Sequence, residues 1–274
     1  MIFRPIPKTN ELIPVVGLGT YKNFDIGAHT PSREPLKEIL KIIHQHNNAM
    51  IDSSPMYGSS EGVVGDLVSD LKLRKSFFFA TKIWIQGKEQ GIAQMEQSFQ
   101  RMKTDVMDLI QIHNLVDWQT HTQTLQGWKE KGRVRYLGIT HYQKDAYSQL
   151  ENVLKTKQFD FIQLNYSMIE REAEERLLPL AQGLGVAVIV NRPFAQSALF
   201  SKVRGQSLPD WASAGGLHSW AQFFLQFIAS HPAVTCMIPA TQHPHHLQDN
   251  LDTFKHPVID HRIRLQMIDC LKSL

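Results

Sequence analysis

Four polar side chains each close or follow an apolar run: Asp52 and Tyr57 in I-D-S-S-P-M-Y-G, Lys82 in F-F-F-A-T-K-I, and His113 in D-L-I-Q-I-H-N. Asp52, Lys82 and His113 are spaced about thirty residues apart, the length of one strand–helix unit. Together they suit the reduction of an aldehyde or ketone, in which a hydride reaches carbon and a proton reaches oxygen. A phenol with a reference pKa of about 10 is a reluctant acid, and a neighbouring ammonium lowers it. Lys82 is the candidate for that ammonium, Asp52 for its counter-ion, and Tyr57 for the acid. His113 is placed to donate a hydrogen bond to the carbonyl oxygen or to relay a proton. No residue reads as a covalent nucleophile. Taken singly, Asp52 fits a turn or helix cap, Tyr57 a loop aromatic, and His113 a core histidine. Lys82 is harder to dismiss, because lysine is seldom buried without a partner. Their joint order weighs against the ordinary readings.

These residues need a scaffold that brings strand ends together. Eight short runs read as strands: V-V-G-L-G, A-M-I-D, F-F-F-A-T-K-I, V-M-D-L-I-Q-I, V-R-Y-L-G-I, F-D-F-I-Q-L-N, V-A-V-I-V and V-T-C-M-I. They are continuously apolar, as parallel strands covered on both faces are. Between them lie stripes of helical period: Leu36, Ile39, Leu40, Ile43; Val64, Leu67, Val68, Leu71; Trp220, Phe223, Phe224, Phe227. Pro35 suits a first helical turn after Ser32. Gly132 and Gly185 sit where helices should stop. Strands alternating with helices predict one (β/α)₈ TIM barrel over residues 1–274, with active groups at its C-terminal mouth. An open dinucleotide-binding sheet would carry G-x-G-x-x-G after its first strand, and G-L-G-T-Y does not supply it. The longest stretch without period, about 196–216, predicts a functional loop.

The segment D-S-S-P-M-Y-G-S-S-E, with the order of the other motifs, resembles the aldo-keto reductase family from about Pro14 to Leu251. The resemblance implies a nicotinamide cofactor lying across the barrel mouth, NADP(H) before NAD(H), and a small-molecule carbonyl substrate. It assigns the carboxamide to Thr140 and His141 in G-I-T-H-Y and to Gln163 in F-I-Q-L-N. The family usually has Ser-Asn where Thr140 and His141 stand. Thr20, in G-L-G-T, joins the cofactor set. Asn191, Arg192, Pro193 and Phe194 occupy the place of the family's Y-S-P-L, so the usual stacking tyrosine is absent. Lys202 and Arg204 match the loop over the pyrophosphate. Thr241, His246, Asp249 and Asn250 match the adenosine end, without the Lys or Arg that relatives preferring NADP usually carry. Tyr21, Trp84 and Asn114 are expected at the substrate. A cofactor-binding sensor with little turnover is the alternative reading.

A formal net charge of +3 with interspersed signs argues against nucleic acid as the main partner. The two cysteines, Cys236 and Cys270, read as buried free thiols in a reducing compartment. His243, His245 and His246 lack accompanying ligands at metal spacing, so no metal is expected. No span of membrane or signal-peptide length is apparent. The expectation is a cytoplasmic monomer.

Overall fold

The computed structural model describes residues 1–27 and 33–274. A short hairpin, β1 (Phe3–Pro5) and β2 (Leu12–Pro14), precedes the barrel. Then come β3 (Leu18–Gly19), α1 (Glu34–Ile43), β4 (Ala49–Asp52), α2 (Ser60–Asp70), β5 (Phe77–Ile83), α3 (Lys88–Arg101), β6 (Met107–His113) and α4 (Trp118–Glu130). The second half adds β7 (Val134–His141), α5 (Tyr147–Leu154), β8 (Phe161–Asn165), α6 (Leu177–Gly183), β9 (Ala187–Asn191), α7 (Ala198–Lys202), α8 (Asp210–Ala214), α9 (Trp220–Ala229), β10 (Val234–Met237), α10 (Pro244–Asp252) and α11 (His261–Ser273).

Strands β3 to β10 pair in sequence order, all parallel. Bridges Val16–Met237 and Gly19–Ala240 bring the first and last strands together. The result is the predicted (β/α)₈ barrel. Side chains alternate between faces with period two, and two separate cores follow. Phe78, Ala80, Leu109, Tyr136, Phe161, Ala187, Ile189 and Cys236 fill the interior. Phe77, Phe79, Ile110, Ile112, Leu137, Ile139, Ile162, Leu164, Val188 and Val190 face the helices. The same alternation, carried to the strand ends, puts Asp52, Lys82, Gln111, Thr140, Gln163 and Asn191 above the interior core.

Several expectations need correction. In V-V-G-L-G only Leu18–Gly19 forms a strand, with a single bridge at Val16. The 196–216 stretch holds two five-residue helices, each too short to show a period; Leu199 and Ala212 anchor them. The N-terminal hairpin was not legible either, because three-residue strands carry no pattern. It sends Ile6 and Ile13 into the interior core and so closes the floor of the barrel. Cys236 is buried, but Cys270 is only half-buried. Pro35 does lie in the first turn of α1, while Ser32 falls outside the described residues. Gly132 (φ 70°) and Gly185 (φ 64°) adopt the left-handed conformation that stops a helix. Among the described residues no helix is long and apolar enough to cross a membrane.

Candidate active site

Strands β4 and β5 bring Asp52 and Lys82 face to face. Lys82 Nζ donates to Asp52 Oδ2 at 2.6 Å and to the Ser53 carbonyl at 2.8 Å. The pair is 2% and 1% exposed. Asp52 Oδ1 accepts from Gln111 Nε2 and Gln163 Nε2, each at 3.1 Å. Gln163 Oε1 accepts from Thr140 Oγ1 at 3.0 Å, and Thr20 Oγ1 donates to the Asp52 carbonyl at 3.0 Å. Burial works against the Lys82 ammonium, but the Asp52 carboxylate and the Tyr57 phenol outweigh it and leave its pKa raised.

Tyr57 follows β4 in a tight loop, with Lys82 Nζ 5.2 Å from its ring centroid. The expectation that Lys82 lowers its pKa is only part of the balance. Burial pushes the phenol up, Lys82 pulls it back, and the net direction is upward. The phenol therefore stays protonated at neutral pH. His113, across the mouth at the end of β6, has its pKa lowered to about 3 by burial, then by Lys82 and His141. It is a neutral imidazole whose Nδ1 is buried without a partner.

Two aromatic walls flank this centre. Tyr21 lies against Tyr57 with ring centroids 4.9 Å apart, and Trp84 against His113 at 5.8 Å. Both are open to solvent, 52% and 39% exposed. Trp84 is held from behind: its backbone N–H donates to Gln94 Oε1 at 2.7 Å, and the next carbonyl, of Ile85, contacts His121 Nε2 at 2.7 Å. The Tyr57 loop is clasped to the loop after β3 by Asp25, whose Oδ1 accepts from Ser59 N at 2.8 Å and Ser59 Oγ at 2.9 Å. A Cβ on Gly58 (φ 57°) would lie 2.3 Å from that carboxylate. Gln111, Asp25, Gln94 and His121 went unnoticed in the sequence. Only the I-Q-I context of Gln111, a polar residue inside an apolar run, offered a signal.

The barrel mouth also concentrates unmet polarity and strain. Gln111 Oε1, His113 Nδ1, Asn114 Oδ1, Asn165 Oδ1 and Asn191 Oδ1 are buried without hydrogen-bond partners among the described residues. All lie at or near the C-terminal ends of β6, β8 and β9. Such atoms are rare in folded proteins unless something else meets them. The loops after β6 and β9 hold Asn114, Leu115, Asp117, Arg192, Ala195, Gln196 and Ser197 at positive φ without a glycine among them. Strain of that kind gathers at functional sites.

The model of the aldo/keto reductase family matches residues 15–265. The chain belongs to the aldo/keto reductase family. Aldo-keto reductase YhdN of Bacillus subtilis is 24% identical over 69% of this chain, which spans 60% of that relative's length. Glyoxal reductase of the same organism is 25% identical over 88% of this chain and 83% of its own. The solved structure of an aldo-keto reductase from Klebsiella pneumoniae in complex with NADPH superposes with a TM-score of 0.84 at 23% identity, covering 99% of this chain and 96% of that one.

For this family member, the remaining predicted residues fall at the same end of the barrel. His141 is buried, its Nδ1 accepting from Gln143 N at 3.1 Å, its ring stacked on Tyr142. The Arg192 guanidinium lies 4.7 Å from the Tyr142 ring centroid. Pro193 is buried. Phe194 packs on Phe200 and Phe224 at 4.9 and 6.5 Å, so its ring leans toward α9. Lys202 and Arg204 are exposed. Thr241 is buried, its Oγ1 accepting from His243 N at 3.0 Å. Asn250 is buried on α10. Asp249 is already engaged: Oδ2 accepts from Ser219 Oγ at 2.5 Å and Oδ1 from Gln222 Nε2 at 2.7 Å. Its carboxylate ties α10 to the start of α9. His243, His245 and His246 crowd together with ring centroids 4.2 to 5.7 Å apart. Among the described residues no group of three His, Cys, Asp or Glu side chains has metal-binding geometry.

Proposed function

We propose that the protein reduces small aldehydes or ketones to alcohols with a nicotinamide cofactor, NADPH before NADH. The observation that carries this reading is the buried Asp52–Lys82 pair beside the Tyr57 ring, at a mouth ringed by unpartnered polar atoms. A reduced nicotinamide, when bound, supplies the hydride to the carbonyl carbon. Tyr57 Oη gives its proton to the carbonyl oxygen. Lys82 meets the phenolate that results, and Asp52 keeps Lys82 charged. Neutral His113 donates a hydrogen bond to the same oxygen. Asn114 borders it, and Tyr21 and Trp84 hold the apolar part of the substrate.

The unpartnered Asn191 and Asn165 oxygens fit a ligand with hydrogen-bond donors. Thr140, His141 and Gln163 would hold the carboxamide, with Thr20 also in the cofactor set. Asn191, Arg192, Pro193 and Phe194 would border the ring, and Lys202 and Arg204 the pyrophosphate. Thr241, His246 and Asn250 would take the adenosine end, with Asp249 fixing the helix that carries them. Quenching of tryptophan fluorescence by NADPH and NADH, followed by NAD(P)H oxidation with glyoxal and an aromatic aldehyde, tests the reading. Tight binding with measurable turnover is expected. Binding without turnover on any carbonyl would favour a sensor, and absence of binding would overturn both.

A further inference from the structure

Gln111 lies on β6, two residues before His113, and is fully buried in the barrel. Among the described residues its one side-chain hydrogen bond runs from Nε2 to Asp52 Oδ1 at 3.1 Å. Its Oε1 has no partner. A buried amide acceptor left unmet disfavours folding and offsets much of what the Nε2 bond to the carboxylate contributes. Room for the side chain comes from Gly138, its register partner on β7. A Cβ at position 138 would lie 2.9 Å from Gln111 Cγ. Gln163 is the second amide on Asp52 Oδ1, but it also accepts from Thr140. On the reductase reading, Gln163 turns to the cofactor's carboxamide. Gln111 has no second task.

We propose that Gln111 is a positioning residue whose amide anchors the Asp52 carboxylate from inside the barrel, holding Lys82 beside Tyr57 when Gln163 is engaged elsewhere. The catalytic consequence rests on the reductase reading; the anchoring does not. Without the Gln111 amide the carboxylate is free to turn, and the ammonium follows it away from the phenol. The groups that act on Tyr57 are Lys82, Asp52 and the Tyr21 phenol, so the loss falls on the one cation among them.

Gln111→Met keeps an unbranched chain of similar volume and removes the amide. The expected result is a kcat about tenfold lower, with the alkaline limb of the pH–rate profile raised by about one unit, the equivalent shift in ionisation. NADPH affinity should be unchanged. Gln163→Met, by contrast, should weaken NADPH binding as well. In a crystal structure of the Gln111→Met, Gln163→Met double variant, where neither amide is left on Asp52 Oδ1, the carboxylate should be turned and Lys82 Nζ should have moved with it, farther from the Tyr57 ring centroid than the wild-type 5.2 Å. An unchanged kcat and pH profile in Gln111→Met, or an Asp52–Lys82 pair in the double variant that superimposes on the wild type, overturns the proposal. If the wild type reduces no carbonyl, the reductase reading fails and the crystal structure still decides the anchor. Should Gln111→Met not fold, Gly138→Ala pushes the same side chain aside and is expected to lower kcat to the same extent. A Gly138→Ala protein with wild-type kcat would overturn the proposal.

Discussion

At the scale of the residue, the centre depends on opposing electrostatic influences that meet at Tyr57. Burial keeps the phenol protonated, and Lys82 makes its anion tolerable. Tyr57→Phe removes the proton and little else. Turnover should fall by at least roughly 10²-fold, as loss of a general acid does, with the NADPH dissociation constant nearly unchanged. Full turnover in steady-state assays would exclude Tyr57 as the acid. That Asp52, Tyr57, Lys82 and His113 belong together was legible from their order and motif. Gln111 was not, because nothing in a linear sequence says that a glutamine in an apolar run shares a face with an aspartate two strands away.

At the scale of the element, the reductase reading assigns cofactor choice to α10 and the turn before it. The 2′-phosphate that distinguishes NADPH is usually met by Lys or Arg, and residues Ala240 to His246 contain neither. His246 has its pKa lowered by burial, then by His245 and His243, so it is neutral at pH 7. The amides at the start of a helix add only about 0.3–1 kcal/mol per such contact. Discrimination between NADPH and NADH should therefore be modest at pH 7. It should grow only as pH drops below the ordinary histidine value of 6.5, where His246 gains charge. Gln242→Arg should tighten NADPH binding and leave NADH nearly untouched. Both dissociation constants measured at two pH values check this. A strong preference indifferent to pH and to His246→Ala would move the phosphate contact to Lys202 or Arg204.

At the scale of the whole molecule, histidines held below their ordinary pKa set the acid limb of stability. His113, lowered from 6.5 to about 3, is the largest case. His46, His141, His231 and His246 shift the same way, each chiefly through burial. In that window the unfolded chain binds protons that the folded barrel does not. Stability should be flat with respect to these groups above about pH 6.5 and fall as pH drops from there toward 3. His113→Gln should flatten part of that slope in Tm measured against pH. An identical slope would mean that His113 is protonated freely in the fold.

The sequence by itself determined the architecture and singled out the candidate positions, because the signals for both are local. Continuous apolar runs mark parallel strands, helical stripes lie between them, and a polar residue ending a run marks a strand end. Tertiary structure alone decided which of those residues meet. Barrel closure sets the phase in which Asp52, Lys82, Gln111 and Gln163 point inward together. It also decided the sign at Tyr57, since burial there is a property of packed neighbours rather than of any motif. Short elements stayed hidden for the complementary reason: the Phe3–Pro14 hairpin and the two five-residue helices are too brief to have a period, and become defined only by what they pack against.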